Sequence, residues 1–320
     1  MIILNLILFL AFLFVLIKCA GYSITYSSRI AKTLRLPEFL VSFFIIAIIS
    51  VLPEAIISII SAINGSPELG LGTLLGSNIA DLTLIFGIVA LFSSRGIKVK
   101  SKILRNNFFY LILLLFPLIL GIDGSFSRID GGILLLLGVL FYVKIYRDSL
   151  RFRKKFNHTK KSPIVKTFFL LLLSLGVLLI CAVFTVRYAV NFANDIKLPT
   201  ILIGIAILAV GTCLPELIVS IKAVKNNRDG IALGDILGTV ITDTTIVLGI
   251  VALISPFSYN PFNIYLMGIA MFLAGVFVTI FMKSEHTINR LEGLLLIIFY
   301  IIFVIISFCL RNSLELINYS

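Results

Sequence analysis

One stretch of this chain is written twice. Ile46 to Gly87 reads IAIISVLPEAIISIISAINGSPELGLGTLLGSNIADLTLIFG, and Leu208 to Gly249 reads LAVGTCLPELIVSIKAVKNNRDGIALGDILGTVITDTTIVLG. An offset of 162 carries Pro53 onto Pro215, Glu54 onto Glu216, Gly76 onto Gly238, Asp81 onto Asp243 and Gly87 onto Gly249. Each copy therefore holds two carboxylates 27 positions apart inside largely apolar sequence. Any fold adopted by the chain must provide for those charges.

The apolar surroundings are those of a bilayer. With 60% hydrophobic and 13% charged residues and a mean hydropathy of +1.15, the chain has more apolar surface than a soluble core of this size can hide. Crossing about 30 Å of hydrocarbon takes roughly 20 apolar residues. Ten runs qualify, near 2–22, 38–63, 70–93, 106–121, 131–147, 165–191, 198–224, 231–256, 262–283 and 290–310, which leaves no room for a sizeable soluble domain. The N-terminal run lacks the basic start and small-residue cleavage site of a signal peptide and is read as the first span. Cys19, Cys181, Cys213 and Cys309 fall in or at the ends of spans without metal-ligand spacing, so neither a disulfide framework nor a zinc site is expected.

The net charge of +12 is an orientation signal rather than a nucleic-acid footprint. Of the 27 Lys and Arg, 22 lie on the connections after the odd-numbered spans. The positive-inside rule then puts those connections in the cytoplasm and both termini outside, in a multi-pass protein of the cell membrane. The most polar run, Arg147 to Pro163, contains His158 and is read as a solvated cytoplasmic linker. Asp123 and Asp130 are read as loop structure, and Lys18 as a side chain that reaches to the interface.

The repeat begins near residue 20, since Tyr26, Ala31 and Leu36-Pro37 match Tyr188, Ala193 and Leu198-Pro199 at the same offset. Each unit then holds five spans. Five is odd, so the second unit enters the membrane from the opposite side. The expected fold is an all-α membrane protein of ten transmembrane helices in two inverted five-helix repeats: 1–147, a linker at 148–164, and 165–320. In such layouts ion sites form near the midplane, where the copies meet.

The chemistry of the repeated stretch is all oxygen. Proline in a membrane helix frees the carbonyl four residues earlier, here that of Ile49 or Gly211, and a freed carbonyl at that depth needs a partner. A hydroxyl stands four residues before each carboxylate: Ser50 before Glu54, Thr212 before Glu216, Ser77 before Asp81 and Thr239 before Asp243. That spacing places each pair on one helix face. Hard cations such as calcium and sodium take oxygen ligands, whereas softer metals call for Cys or His. Gly70, Gly72, Gly76, Gly87, Gly234, Gly238 and Gly249 let helices approach or break, with helix packing the favoured role for Gly87 and Gly249. Unpaired carboxylates at membrane depth mark a pathway or site.

At this point AVGTCLPELIVS with GTVITDTTIVLG, and more loosely LPEAIIS with GSNIAD, resembles the alpha-repeat of the calcium/cation antiporter superfamily, nearest its prokaryotic sodium/calcium exchangers. The resemblance spans nearly the whole chain. It implies antiport by alternating access, with Ca2+ between Glu54 and Glu216. The remaining ligands it implies are the hydroxyls of Ser50, Ser77, Thr212 and Thr239, the carbonyls of Ala47 and Ala209, and the acidic positions Asp81 and Asp243. Spans 1 and 6 are implied to slide as gates. The chain departs from the pattern at Ile49, Val51 and Cys213, where the family has a glycine and two hydroxyls.

The expected activity is exchange of calcium for sodium, with Ca2+ and Na+ as cargo, no cofactor, and a monomer as the working unit in the lipid bilayer. Four carboxylates exceed the two charges one divalent ion neutralises, so a calcium/proton or other divalent cation/proton exchanger is the alternative. A channel could use the same ligands, although inverted halves fit alternating access better. The only enzyme reading is an intramembrane aspartyl protease built on Asp81 and Asp243, with Leu233-Gly234-Asp235 as part of its motif. It lacks the Tyr-Asp partner motif and leaves both glutamates idle.

Overall fold

Apolar sequence folds into helices in a bilayer because each helix satisfies its own backbone hydrogen bonds where no water can. The structure, a computed structural model, describes residues 2–65, 67–99, 109–151, 163–195, 211, 213–259, 261–284 and 286–318. In chain order the helices are α1 (Ile2–Leu34), α2 (Glu38–Ser50), α3 (Leu52–Ile63), α4 (Gly70–Phe92), α5 (Phe109–Leu120), α6 (Arg128–Arg151), α7 (Ile164–Asp195), α8 (Leu214–Lys225), α9 (Asp229–Ile254), α10 (Pro261–Lys283) and α11 (Arg290–Asn318). Four two-residue strands connect them: β1 (Ile97–Lys98), β2 (Ser125–Phe126), β3 (Phe257–Ser258) and β4 (Thr287–Ile288).

Seven of the described helices are long and apolar enough to cross a membrane by themselves, and α2 with α3, bent by 43°, makes an eighth. The short apolar α5 follows residues 100–108, which lie outside the described set, as do residues 196–210 and 212 ahead of α8. Large apolar side chains face outward, among them Ile56 and Ile63 on α3, Val165 and Phe169 on α7, and Leu291 on α11. Water would penalise such a surface and lipid does not.

Burial sorts the helices into centre and rim. In α4 and α9, 78% and 83% of the apolar window lies inside the protein, against 17% for α1 and for α11. The two central helices are the ones that carry Asp81 and Asp243. At the rim, α1 and α7 run against each other, with Phe12 stacked on Phe184 (4.9 Å) and Tyr188 (5.6 Å) and with Ser23 Oγ 3.0 Å from Ser174 Oγ.

The first span is longer than its apolar run. Helix α1 continues past residue 22 to Leu34, and Arg29 and Lys32, read in sequence as a connection, are its last turns. Ser23, Ser27 and Ser28 are buried there while Arg29 is exposed, so the helix continues by turning amphipathic. Likewise α6 runs on to Arg151, inside the stretch read as linker. His158 and most of that linker lie outside the described residues.

Cross-pairings tie the chain's two ends together. Strand β1 pairs antiparallel with β4, with Ile97 opposite Ile288, and β2 pairs with β3, with Ser125 opposite Ser258. Glycines set the helix contacts: a methyl on Gly87 would lie 2.5 Å from the Gly293 carbonyl, and one on Gly249 would lie 2.9 Å from that of Gly131. Both members of the first pair are offset by 162 from members of the second. On the face read as cytoplasmic, one Arg95 nitrogen meets both oxygens of Asp229 at 3.0 Å. Arg228 pairs with Glu38, which also accepts the Ser28 hydroxyl at 2.5 Å. Asp123 and Asp130 hold the loop after α5 by accepting the backbone N–H of Ser125 and of Ser127.

Candidate cation-binding site

Two local devices, each present at both copies, place the acidic groups. The first is the proline break. Pro53 cannot donate to the carbonyl of Ile49, so α2 stops at Ser50 and α3 restarts at Leu52, with the Ala55 N–H returning to the Val51 carbonyl at 2.9 Å. Glu54 thus enters in the first turn of a new helix. Pro215 likewise stands at the start of α8, with Cys213 as the flanking residue and Glu216 in the first turn. A helix N-terminus carries partial positive charge and favours an anion there.

The second device is a π-helical turn. Asp81 opens one at Asp81–Ile85 within α4, and Asp243 lies in another at Thr242–Val247 within α9. A third, Ser42–Ile46, precedes Ala47. Such turns shift the hydrogen-bond register of a helix, and they occur often at functional sites.

The elements converge on Ser50. Its hydroxyl donates to the Ala47 carbonyl (3.2 Å) and to Asp235 Oδ1 (3.4 Å), and lies 3.4 Å from Thr239 Oγ1. Ser50 also stands close to Glu216. Glycines make the approach of α2 to α9 possible, because a methyl on Gly238 would lie 2.6 Å from Ala47 Cβ and one on Gly234 would lie 2.9 Å from Ser42 Cβ. Ser42 fixes the crossing by donating to the Ile231 carbonyl at 2.7 Å.

Of the residues expected at the site, Glu54, Asp81, Glu216 and Asp243 are all buried, and Glu54 lies within Coulombic reach of the other three. Glu54 Oε2, Asp81 Oδ1 and both carboxylate oxygens of Glu216 and of Asp243 have no hydrogen-bond partner. The two ion pairs among the described residues involve other carboxylates. Ser77 is buried, but its hydroxyl is turned to the Leu74 carbonyl at 3.1 Å. The Ala47 carbonyl is already engaged by Val51 N–H at 3.1 Å and by Ser50. Thr212 and Ala209 lie outside the described residues. The carboxylates approach without closing a metal shell: no trio of His, Cys, Asp or Glu among the described residues has that geometry.

Five groups at the site were not singled out as site residues from sequence. Asp235 is buried and within Coulombic reach of Glu216 and Asp81. Cys213 is buried beside Asp81, with its sulfur 3.8 Å from the Ser77 carbonyl. Tyr142 meets Thr242 Oγ1 at 2.5 Å within Coulombic reach of Asp243, and the buried, unpartnered Tyr110 hydroxyl is within Coulombic reach of Asp81. The Asn78 amide is buried with neither polar atom partnered. Burial of so many unsatisfied polar atoms was the missing signal, and it arises only in the folded chain.

Fold and site define a multi-pass membrane protein with an acidic, oxygen-lined core. A profile described as sodium/calcium exchanger protein matches residues 4–146 and 166–309. The sodium/calcium exchanger MaX1 of Methanosarcina acetivorans is 27% identical over 96% of this chain and 99% of its own length. An uncharacterized membrane protein of Methanocaldococcus jannaschii is 30% identical over 94% and 97%. Among solved structures, the sodium-calcium exchanger NCX_Mj, soaked with Na+ and Sr2+, superposes with a TM-score of 0.79 at 27% identity, covering 95% of this chain and 99% of that one. The chain belongs to the sodium/calcium exchanger family.

Proposed function

We propose that this protein exchanges Ca2+ for Na+ across the cell membrane by alternating access. The observation that carries the reading is a buried set of carboxylates without basic partners, gathered with hydroxyls and carbonyls from both ends of the chain. Such charge is tolerable at membrane depth when cations neutralise it. Glu54 and Glu216 hold the divalent ion from the two broken helices. Asp81, Asp243, Ser50, Ser77, Thr212, Thr239 and the carbonyls of Ala47 and Ala209 complete the ligand set for Ca2+ and for the ions that replace it. The names of MaX1 and NCX_Mj support sodium as the counter-ion.

The architecture that goes with this reading is ten spans in two inverted repeats, 1–147 and 165–320, joined by the cytoplasmic linker 148–164, with both termini outside and one chain as the working unit. Support comes from the offset of 162, which relates the two helix starts at Leu-Pro-Glu, the acidic π turns and the glycine contacts. Helices α1 and α7, packed together at the rim, are the gates.

Proton coupling is the second reading, favoured by the surplus of carboxylate over the charge of one divalent ion. The protease reading has no support, since the buried glutamates and hydroxyls have no part in it. Calcium uptake into vesicles, driven in turn by an outward Na+ gradient at fixed pH and by an outward H+ gradient without Na+, tests the assignment. Uptake driven by Na+ alone is expected; uptake driven only by H+ would replace sodium with the proton.

A further inference from the structure

Asp235 has no acidic counterpart. The residue 162 positions earlier is Thr73, so the repeat that supplies the other carboxylates in pairs supplies this one once. It lies on α9 one turn before Thr239 and two before Asp243, a spacing that puts all three on one face. The side chain is fully buried at 0% exposure. Oδ1 accepts the Ser50 hydroxyl at 3.4 Å, and Oδ2 has no partner. Around it stand Ser50 Oγ, Thr239 Oγ1, the Ala47 carbonyl that Ser50 reaches, and Glu216 within Coulombic reach.

A purely structural role would be to anchor α2 on α9. Ser42 already does that by bonding to Ile231, and the small surfaces of Gly234 and Gly238 admit α2 closely. An anchor needs one acceptor and no charge, whereas Asp235 presents a second oxygen, buried and unsatisfied, beside other hard-oxygen donors. A cation held there would satisfy it.

We infer that Asp235 is a fifth acidic ligand, forming with Ser50, Thr239 and the Ala47 carbonyl a hard-cation position beside the Glu54–Glu216 pair. This rests on the exchange reading and extends it. The position is built on the second signature copy with Ser50 reaching in from the first, so cation binding is asymmetric between the copies.

Calcium binding to the purified full chain in Na+-free buffer, followed by isothermal titration, tests this. Asp235→Asn keeps the shape and the Ser50 contact while removing the charge, and is expected to weaken Ca2+ binding about tenfold or more, the scale of a lost charged ligand. Asp235→Glu is expected to retain most of the affinity. Thermal unfolding without cations separates the roles, because losing an unpaired buried charge leaves the ion-free protein as stable or more so, whereas losing an anchor destabilises it. Asp235→Thr, which copies the first half, gives the same readout if the asparagine variant does not fold. Wild-type affinity in the neutral variants overturns the inference and leaves the exchange reading standing. A wild-type protein that binds none of Ca2+, Sr2+ and Na+ overturns both.

Discussion

The two signature copies share a plan and differ in what fills it. Both start a helix at Leu-Pro-Glu, and both hold an aspartate in a π turn. The first copy adds the unpartnered amide of Asn78, where the second has Val240, and the second adds Asp235, where the first has Thr73. The hairpins differ too: Ser58 donates to the Gly70 carbonyl at 3.1 Å, while its counterpart Ser220 is buried without a partner and faces a helix with Ala232 in place of the glycine. What is duplicated is backbone geometry, which positions groups. What has diverged is the side-chain chemistry that those positions present.

The largest expected effect strikes what the copies share. Glu54→Gln and Glu216→Gln should each reduce calcium uptake by roughly two to three orders of magnitude, as when a buried charged partner worth about 3–4 kcal/mol is lost. Uptake rates in vesicles at matched protein density check this, and a large loss at only one glutamate would break the equivalence of the copies. Next come the glycine contacts. Gly87→Val and Gly249→Val should each cost about 1–3 kcal/mol of stability by overpacking, while Gly72→Ala, with open space around it, should cost far less. Thermal unfolding in one detergent ranks the three.

A smaller effect sharpens the contrast between the hairpins. Ser58→Ala removes a satisfied buried hydrogen bond and should cost about 0.5–1.5 kcal/mol, whereas Ser220→Ala removes an unsatisfied hydroxyl and should be neutral or stabilising. Denaturation of the pair in parallel reads the difference, and equal losses would contradict it. Smallest is Arg228→Ala, which opens a partly exposed ion pair with Glu38 and should change stability by less than about 1 kcal/mol.

Much of this was legible in sequence because bilayer and repeat both leave long-range marks. Apolar runs marked most of the described helices, and the offset of 162 marked the paired acidic groups and glycines. The same offset hid Asp235, since a search for matched residues passes over a carboxylate facing a threonine. Helix α1 outran its apolar run because its last turns bury serines on one face only. The cross-paired strands β1 to β4 are two residues each, too short for any alternation to register. Tyr110 and Tyr142 read as ordinary span residues until the fold set them behind Asp81 and Asp243.

In the proposed exchange, the buried carboxylates of both copies carry the cations. Counter-flow tests it most directly: purified protein in vesicles loaded with Na+, diluted into Na+-free medium with radiolabelled Ca2+, with Na+ efflux and Ca2+ entry followed together. Ca2+ entry is expected to require Na+ efflux and to disappear in the Glu54→Gln, Glu216→Gln double variant. Entry that proceeds unchanged in the double variant would contradict it.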